Sequence, residues 1–165
     1  YWKNIKKIPV YGSNRTANVL KKNHTFCFIP KHGYKPIMKL FPIKDNFKIK
    51  KNRTIISIKA FNVSHGLINA TGYLFDKVAY LSDCNKIPNN SMKLLKGLNF
   101  LIIDCLRKNK HPSHFNYDEA LEMINILKPK KAILTNLHTD LDYNHLKKKL
   151  PTNIVPAHDG LKFNF

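Results

Sequence analysis

The chain has 165 residues, enough for one domain with a substantial core, and its 29 Lys and Arg against 10 Asp and Glu give a formal net charge of +19 at pH 7. No apolar run approaches the ~20 residues that span a bilayer and no secretory pattern opens the chain, so a cytoplasmic protein without a membrane partner is expected. Cys27, Cys84 and Cys105 are odd in number and form no CxxC pair, which argues against a disulfide framework and a thiolate zinc site. The charge would ordinarily point to a polyanionic partner. Only Arg15, Arg53 and Arg107 are arginines, however, and scattered lysines lack the bidentate fork of nucleic-acid readers. A small anionic substrate is expected ahead of nucleic acid.

The opening WKNIKKIPVYG reads as the end of a helix running into a short buried strand at residues 8–12. It begins at Tyr1 rather than Met, and a fragment of a longer protein is expected. SNRTANVLKKNH follows as a helix capped by Ser13, with Ala17, Val19 and Leu20 apolar. FCFIPKHGYKP, residues 26–36, is rich in Pro, Gly and aromatics and reads as a loop or irregular insertion. KLFPI with FKI, near residues 39–49, is expected to pair with TIISIKAFNV at 54–63, which alternates apolar and polar residues before reaching His65.

GYLF and KVAYLSD read as a hairpin about Asp76-Lys77 that ends at Asp83. SMKLLKGL is expected as a helix capped by Ser91, and NFLIIDCL as a fully buried strand. HPSHFNYDEALEMINILKPK starts as a loop and becomes a helix with Leu121, Ile124, Ile126 and Leu127 on or near its buried side. KAILTN is another buried strand, LDYNHLKKKL a short helix, and NIVPA and GLKFNF are edge strands. Strands interleaved with helices and hairpins predict a mixed α/β layered domain over residues 1–165, with no internal repeat.

Three of these runs end on a side chain able to bind metal: His65, Asp83, and Asn136 with His138. An apolar strand that runs into a lone His or Asp delivers it to the rim of a sheet, and three such ends suggest a hydrolytic metal centre built from distant segments. The same residues equally suit ordinary loop positions that satisfy backbone groups. Cys84 draws notice because it adjoins Asp83.

IPVYG, FCFIPKHGYKP, VSHG with GYLF, YLSDC, IIDCLR, HPSHFN, ILTNLHTDLDY and PAHDGLKF together resemble, in order and spacing, the metallo-β-lactamase-fold hydrolases. The resemblance is above all to the PhnP-type branch, the phosphoribosyl cyclic phosphate phosphodiesterases, themselves similar to tRNA 3′-processing endonucleases. It implies a partial αβ/βα sandwich, with mixed sheets flanked by helices, and two divalent ions, Zn or Mn, in the intact protein. The HxHxDH motif of that family is not in these 165 residues. The chain is therefore expected to be the carboxyl-terminal portion of one such domain and inactive by itself.

By the same resemblance His65 is a ligand to one metal and Asp83 the carboxylate that bridges both. The strand that normally ends in a His ligand reads ILTNLH, placing Asn136 in that slot. His138 is preferred as the ligand because imidazole binds zinc far better and period-2 alternation would keep residues 136 and 138 on one face. His111, His114 and His138 are candidates to protonate a leaving oxygen or contact phosphate. His158 and Asp159 are assigned to a supporting or turn role, Asp104 and Arg107 to a structural or substrate-orienting one, and His24, His32 and His145 to none. An RNA substrate, or a non-catalytic basic RNA-binding module, is the alternative reading, and a homodimer is left open.

Overall fold

A computed structural model describes residues 6–30 and 33–164, with Lys51 described in its backbone only. The chain divides into two compact units, residues 1–47 and 48–165. In the first, β1 (Ile8–Gly12) and β2 (Met38–Pro42) pair in parallel, with Ile8 opposite Met38 and Tyr11 opposite Phe41. A parallel pair needs a crossover connection, and α1 (Asn14–Asn23) and α2 (Thr25–Phe28) lie within it. Ser13 caps α1 as the sequence indicates, its hydroxyl accepting the Thr16 N–H at 3.2 Å. The cross-strand rings of Tyr11 and Phe41 stack at 5.3 Å.

Three expectations change here. IPVYG is a strand but not a buried one, because in a two-stranded sheet only Gly12 of this run is enclosed. Phe26–Phe28 belong to the one-turn helix α2 rather than to a loop; His32 lies outside the described residues, as does the helical end proposed for the first five. KLFPI pairs with β1 and not with residues 54–63.

The larger sheet has seven strands in the order of the chain: β3 (Asn46–Lys51), β4 (Thr54–His65), β5 (Ile68–Phe75), β6 (Val78–Leu81), β7 (Phe100–Asp104), β8 (Lys131–Thr135) and β9 (Ile154–Pro156). β5 runs antiparallel to both β4 and β6, and β6 to β9 are mutually parallel. The carboxyl ends of β4, β6, β7 and β8 therefore share one edge of the sheet. The crossovers contain α3 (Asn89–Met92), α4 (Tyr117–Leu127) and α5 (Tyr143–Lys149). One face of the central strands packs on the core, where Ala79, Leu81, Leu101, Ile103, Ala132 and Leu134 are all buried. On the other face Tyr80 is exposed and Phe100 and Ile102 are only partly covered, so NFLIIDCL is not buried along its whole length as the sequence predicts.

The Asp76-Lys77 hairpin forms as read, with Asp76 at φ 53°. α4 starts on a capping box: the Asn116 side chain accepts the Glu119 N–H at 2.9 Å, and the Glu119 carboxylate accepts the Asn116 N–H at 3.0 Å. Its inner face is Ala120 and Ile124 with Leu121 and Leu127 partly covered, whereas Ile126 faces solvent. Ser91 does not cap a long helix. It lies inside the single turn of α3, and its hydroxyl donates to the Asn62 carbonyl of β4 at 2.6 Å. The terminal GLKFNF is not a strand within the described residues. No helix among the described residues is long and apolar enough to cross a membrane.

Gly72 sits opposite Phe61 across the β4–β5 ladder, and a Cβ there would meet the Phe61 ring and Leu81 Cδ2 at 2.6 Å. Gly72→Ala is expected to destabilise the larger unit by about 1–3 kcal/mol through overpacking, read from the urea midpoint. A change below about 0.5 kcal/mol would show that the Phe61 ring can move aside.

Candidate metal centre

The shared sheet edge collects the chemistry. β4 ends at His65 and turns into β5 through Gly66 and Leu67, with Gly66 at φ 61° in the left-handed region that favours glycine. β6 ends at Leu81 and leads directly into Asp83; β7 ends at Asp104, and the loop after it carries His111 and His114. Among the described residues, His65, Asp83 and His114 offer ligand atoms that all lie within 4.8 Å of one another. His65 Nε2 and His114 Nε2 are 3.1 Å apart.

Asp104 determines which nitrogen of His114 is available. Its side chain is fully buried and its Oδ2 lies 2.6 Å from His114 Nδ1. The Cys84 N–H donates to the same oxygen at 3.0 Å, and the Asn136 carboxamide donates to Oδ1 at 3.1 Å. Burial pushes the Asp104 carboxyl above its ordinary value, outweighing the Cys84 N–H, His114 and Asn136, which all pull it down. With the His114 proton held on Nδ1 by this carboxylate, Nε2 presents a lone pair toward His65. Two imidazoles and an exposed carboxylate facing one small volume make a nitrogen and oxygen donor set that fits a borderline divalent cation.

Ser82 Oγ donates to Asp83 Oδ2 at 3.0 Å. The His111 ring lies 4.9 Å from that of His114, and its Nδ1 accepts the Ser113 N–H at 3.3 Å. Partial desolvation, then the neighbouring Arg107 and His114 charges, lower the His111 pKa. The Arg107 guanidinium itself is tied to the carbonyls of Asn109 and Lys110.

His138 does not join the cluster. It is largely exposed, and its Nδ1 sits 3.0 Å from Asp140. The same-face argument for residues 136 and 138 fails because β8 stops at Thr135 and Asn136 turns into the left-handed region at φ 62°. Asn136 lies close to the cluster, but its amide is engaged by Asp104. His158 packs on Tyr143 with its Nδ1 against the Asp159 carbonyl, and neither residue is in the cluster. Cys84 is a buried thiol whose pKa burial, Asp104 and Asp83 drive upward, so it contributes its backbone N–H rather than a thiolate. Asp104, to which the sequence assigns a structural or substrate-orienting role, closes the run FLIID and anchors its neighbours through these hydrogen bonds.

Residues 3–136 match the profile of the beta-lactamase superfamily domain. Over 162 residues the chain is 26% identical to an octanoyltransferase of Porphyromonas gingivalis, the match covering 95% of this chain and 32% of that protein. Among solved structures it is similar to a diphosphatase of the PhnP family, with 31% identity and a TM-score of 0.83 over 97% of this chain and 59% of the other. It is also similar to the metallo-beta-lactamase fold protein YhfI of Bacillus subtilis, with 16% identity and a TM-score of 0.69 over 95% and 65%. The chain thus spans about a third of the curated relative it matches and 59% of the diphosphatase.

Asp104→Ala would strand three donors in the interior and is expected to cost about 3 kcal/mol in urea denaturation. Asp104→Asn reports the ionisation. A folded pKa above the unfolded 3.8 gives a stability increment that is complete below pH 3.8 and lost as pH rises through the folded value. The asparagine variant of the metal-free chain should lack that drift, and an unchanged pH profile would show that Asp104 does not titrate there.

Proposed function

The chain belongs to the beta-lactamase superfamily, and on that premise we propose that it carries part of the centre of a metal-dependent phosphodiesterase acting on a small anionic substrate, a cyclic phosphate or nucleotide-like ester. The reading rests on one observation, the convergence of the His65 and His114 imidazoles with the Asp83 carboxylate at the shared edge of the sheet. These three residues would hold divalent metal, Zn or Mn, with Asp83 suited to bridge two ions because a short carboxylate reaches both without a long flexible stem. Bound metal would supply Lewis acidity toward phosphate oxygens and a water acidic enough to attack near neutral pH.

The chain's own residues set the conditions for that chemistry. Asp104 fixes the tautomer and ring plane of His114, so in the neutral ring Nε2 is the nitrogen that carries the lone pair. Ser82 restrains one oxygen of Asp83. His111, with Nδ1 occupied by the Ser113 N–H and a lowered pKa, carries its proton on Nε2 and is neutral near pH 7. In that state it is suited to donate a hydrogen bond to a substrate oxygen, the phosphate-contacting one of the two roles the sequence leaves open to it. The net charge of +19 supports an RNA substrate as a second reading, and steep salt dependence of RNA binding would favour it.

Metal content after dialysis tests the ligand set. His65→Ala, His114→Ala and Asp83→Asn are expected to lower metal affinity at least about tenfold, whereas His138→Ala should retain it. Loss in His138→Ala with retention in His114→Ala would return the third position to His138. Metal-dependent hydrolysis of bis(p-nitrophenyl) phosphate and of a cyclic phosphate by the complete gene product tests the chemistry, and turnover indifferent to chelator would overturn it.

A further inference from the structure

Two loops must be held against each other for His65 and His114 to meet, and a residue of neither loop does so. The Asn85 carboxamide accepts the Gly66 N–H on Oδ1 at 3.1 Å and donates from Nδ2 to the Pro112 carbonyl at 2.9 Å. Gly66 directly follows His65, and Pro112 precedes His114 by two residues. On the other side of His65, the backbone of Ser64 exchanges hydrogen bonds with this same segment: Ser64 N–H to Lys86 C=O and Asn85 N–H to Ser64 C=O, both at 2.9 Å. Asn85 therefore grips the residue before His65 with its backbone and the residue after it with its side chain. The loops already abut, since a Cβ on Gly66 would lie 3.1 Å from the Ser113 Cβ.

We propose that Asn85 is the positioning residue that sets the approach of His65 to His114 and so tunes metal affinity, an inference that rests on reading those residues with Asp83 as one cation site. The task needs a donor and an acceptor on one short planar group. A carboxamide has both, an aspartate only acceptors, and an aliphatic side chain neither. The orientation of the amide follows from its partners, because a backbone N–H must face the oxygen and a carbonyl must face the nitrogen.

The experiment is a Co2+ titration of the chain followed by its visible absorption, beside the melting temperature of the metal-free protein. Asn85→Ala should raise the Co2+ dissociation constant about 10- to 100-fold, as loss of a supporting group at a metal site does. Asn85→Asp keeps the acceptor for Gly66 but sets a carboxylate against the Pro112 carbonyl, and should fall between wild type and alanine. In a His114→Ala background, Asn85→Ala should add little, because there is no longer a second imidazole to align. A lowered melting temperature with an unchanged dissociation constant would overturn the positioning role, and if the alanine variant does not fold, an Asn85→Asp constant equal to wild type overturns it too. Wild-type protein that binds no Co2+ would instead refute the cation site itself.

Discussion

Asp104 is a carboxylate with no exposure to solvent, placed where three elements end. Taking such a group out of water costs several kcal/mol and is tolerated only when its lone pairs are used. Here they are used by the Cys84 backbone after β6, by the His114 ring in the loop after β7, and by the Asn136 amide after β8. Each of these groups is held at the position that satisfies the carboxylate. The edge of the sheet is thereby fixed in the region where a site must be rigid, and the buried charge that stiffens it also selects the tautomer of the imidazole that faces His65.

The topology explains why residues so distant in sequence can meet. Parallel strands bring every carboxyl end to one side, and the β4–β5–β6 meander brings the end of β4 to that side as well. Ligands can then be single residues appended to strands whose other positions are occupied by packing. Alternation along β4 ends in His65, while β6, β7 and β8 carry no polar residue before their ends except the exposed Tyr80 hydroxyl and Lys131 at the start of β8. Strand interiors and strand ends are thus under different constraints, packing in one and chemistry in the other.

That separation also governs what the sequence reveals. Strands with a clear apolar run, the Asp76-Lys77 turn and the Ser13 cap are local features, and each forms as read. His65 and Asp83 could be singled out because each closes such a run. The roles of Ser91 and KLFPI could not, because each is decided by a partner remote in sequence: the Asn62 carbonyl draws in the Ser91 hydroxyl, and β1 takes the strand that proximity would have given to β4. On the sequence His138 stands out as a ligand just past a strand end, and His114 only as a loop histidine that could contact phosphate or donate a proton. What separates them is Asp104 beside one and Asp140 beside the other, the first buried in the sheet and the second on the surface.

Asn136 shows how far one substitution at such an edge is constrained by its neighbours. Its backbone is left-handed, a conformation Asn tolerates better than most residues, and its amide nitrogen is directed at a carboxylate oxygen that can only accept. Turning the amide over would set its oxygen against Asp104, so the nitrogen is the end that faces inward. An Asn136 that ligated a metal would need to offer that oxygen to the cation while continuing to donate to Asp104. The donation is the demand that is met here, because the buried carboxylate has no other donor for Oδ1 within the described hydrogen bonds. Asn136 thus serves the cluster through Asp104, and the imidazole that Asp104 orients is His114.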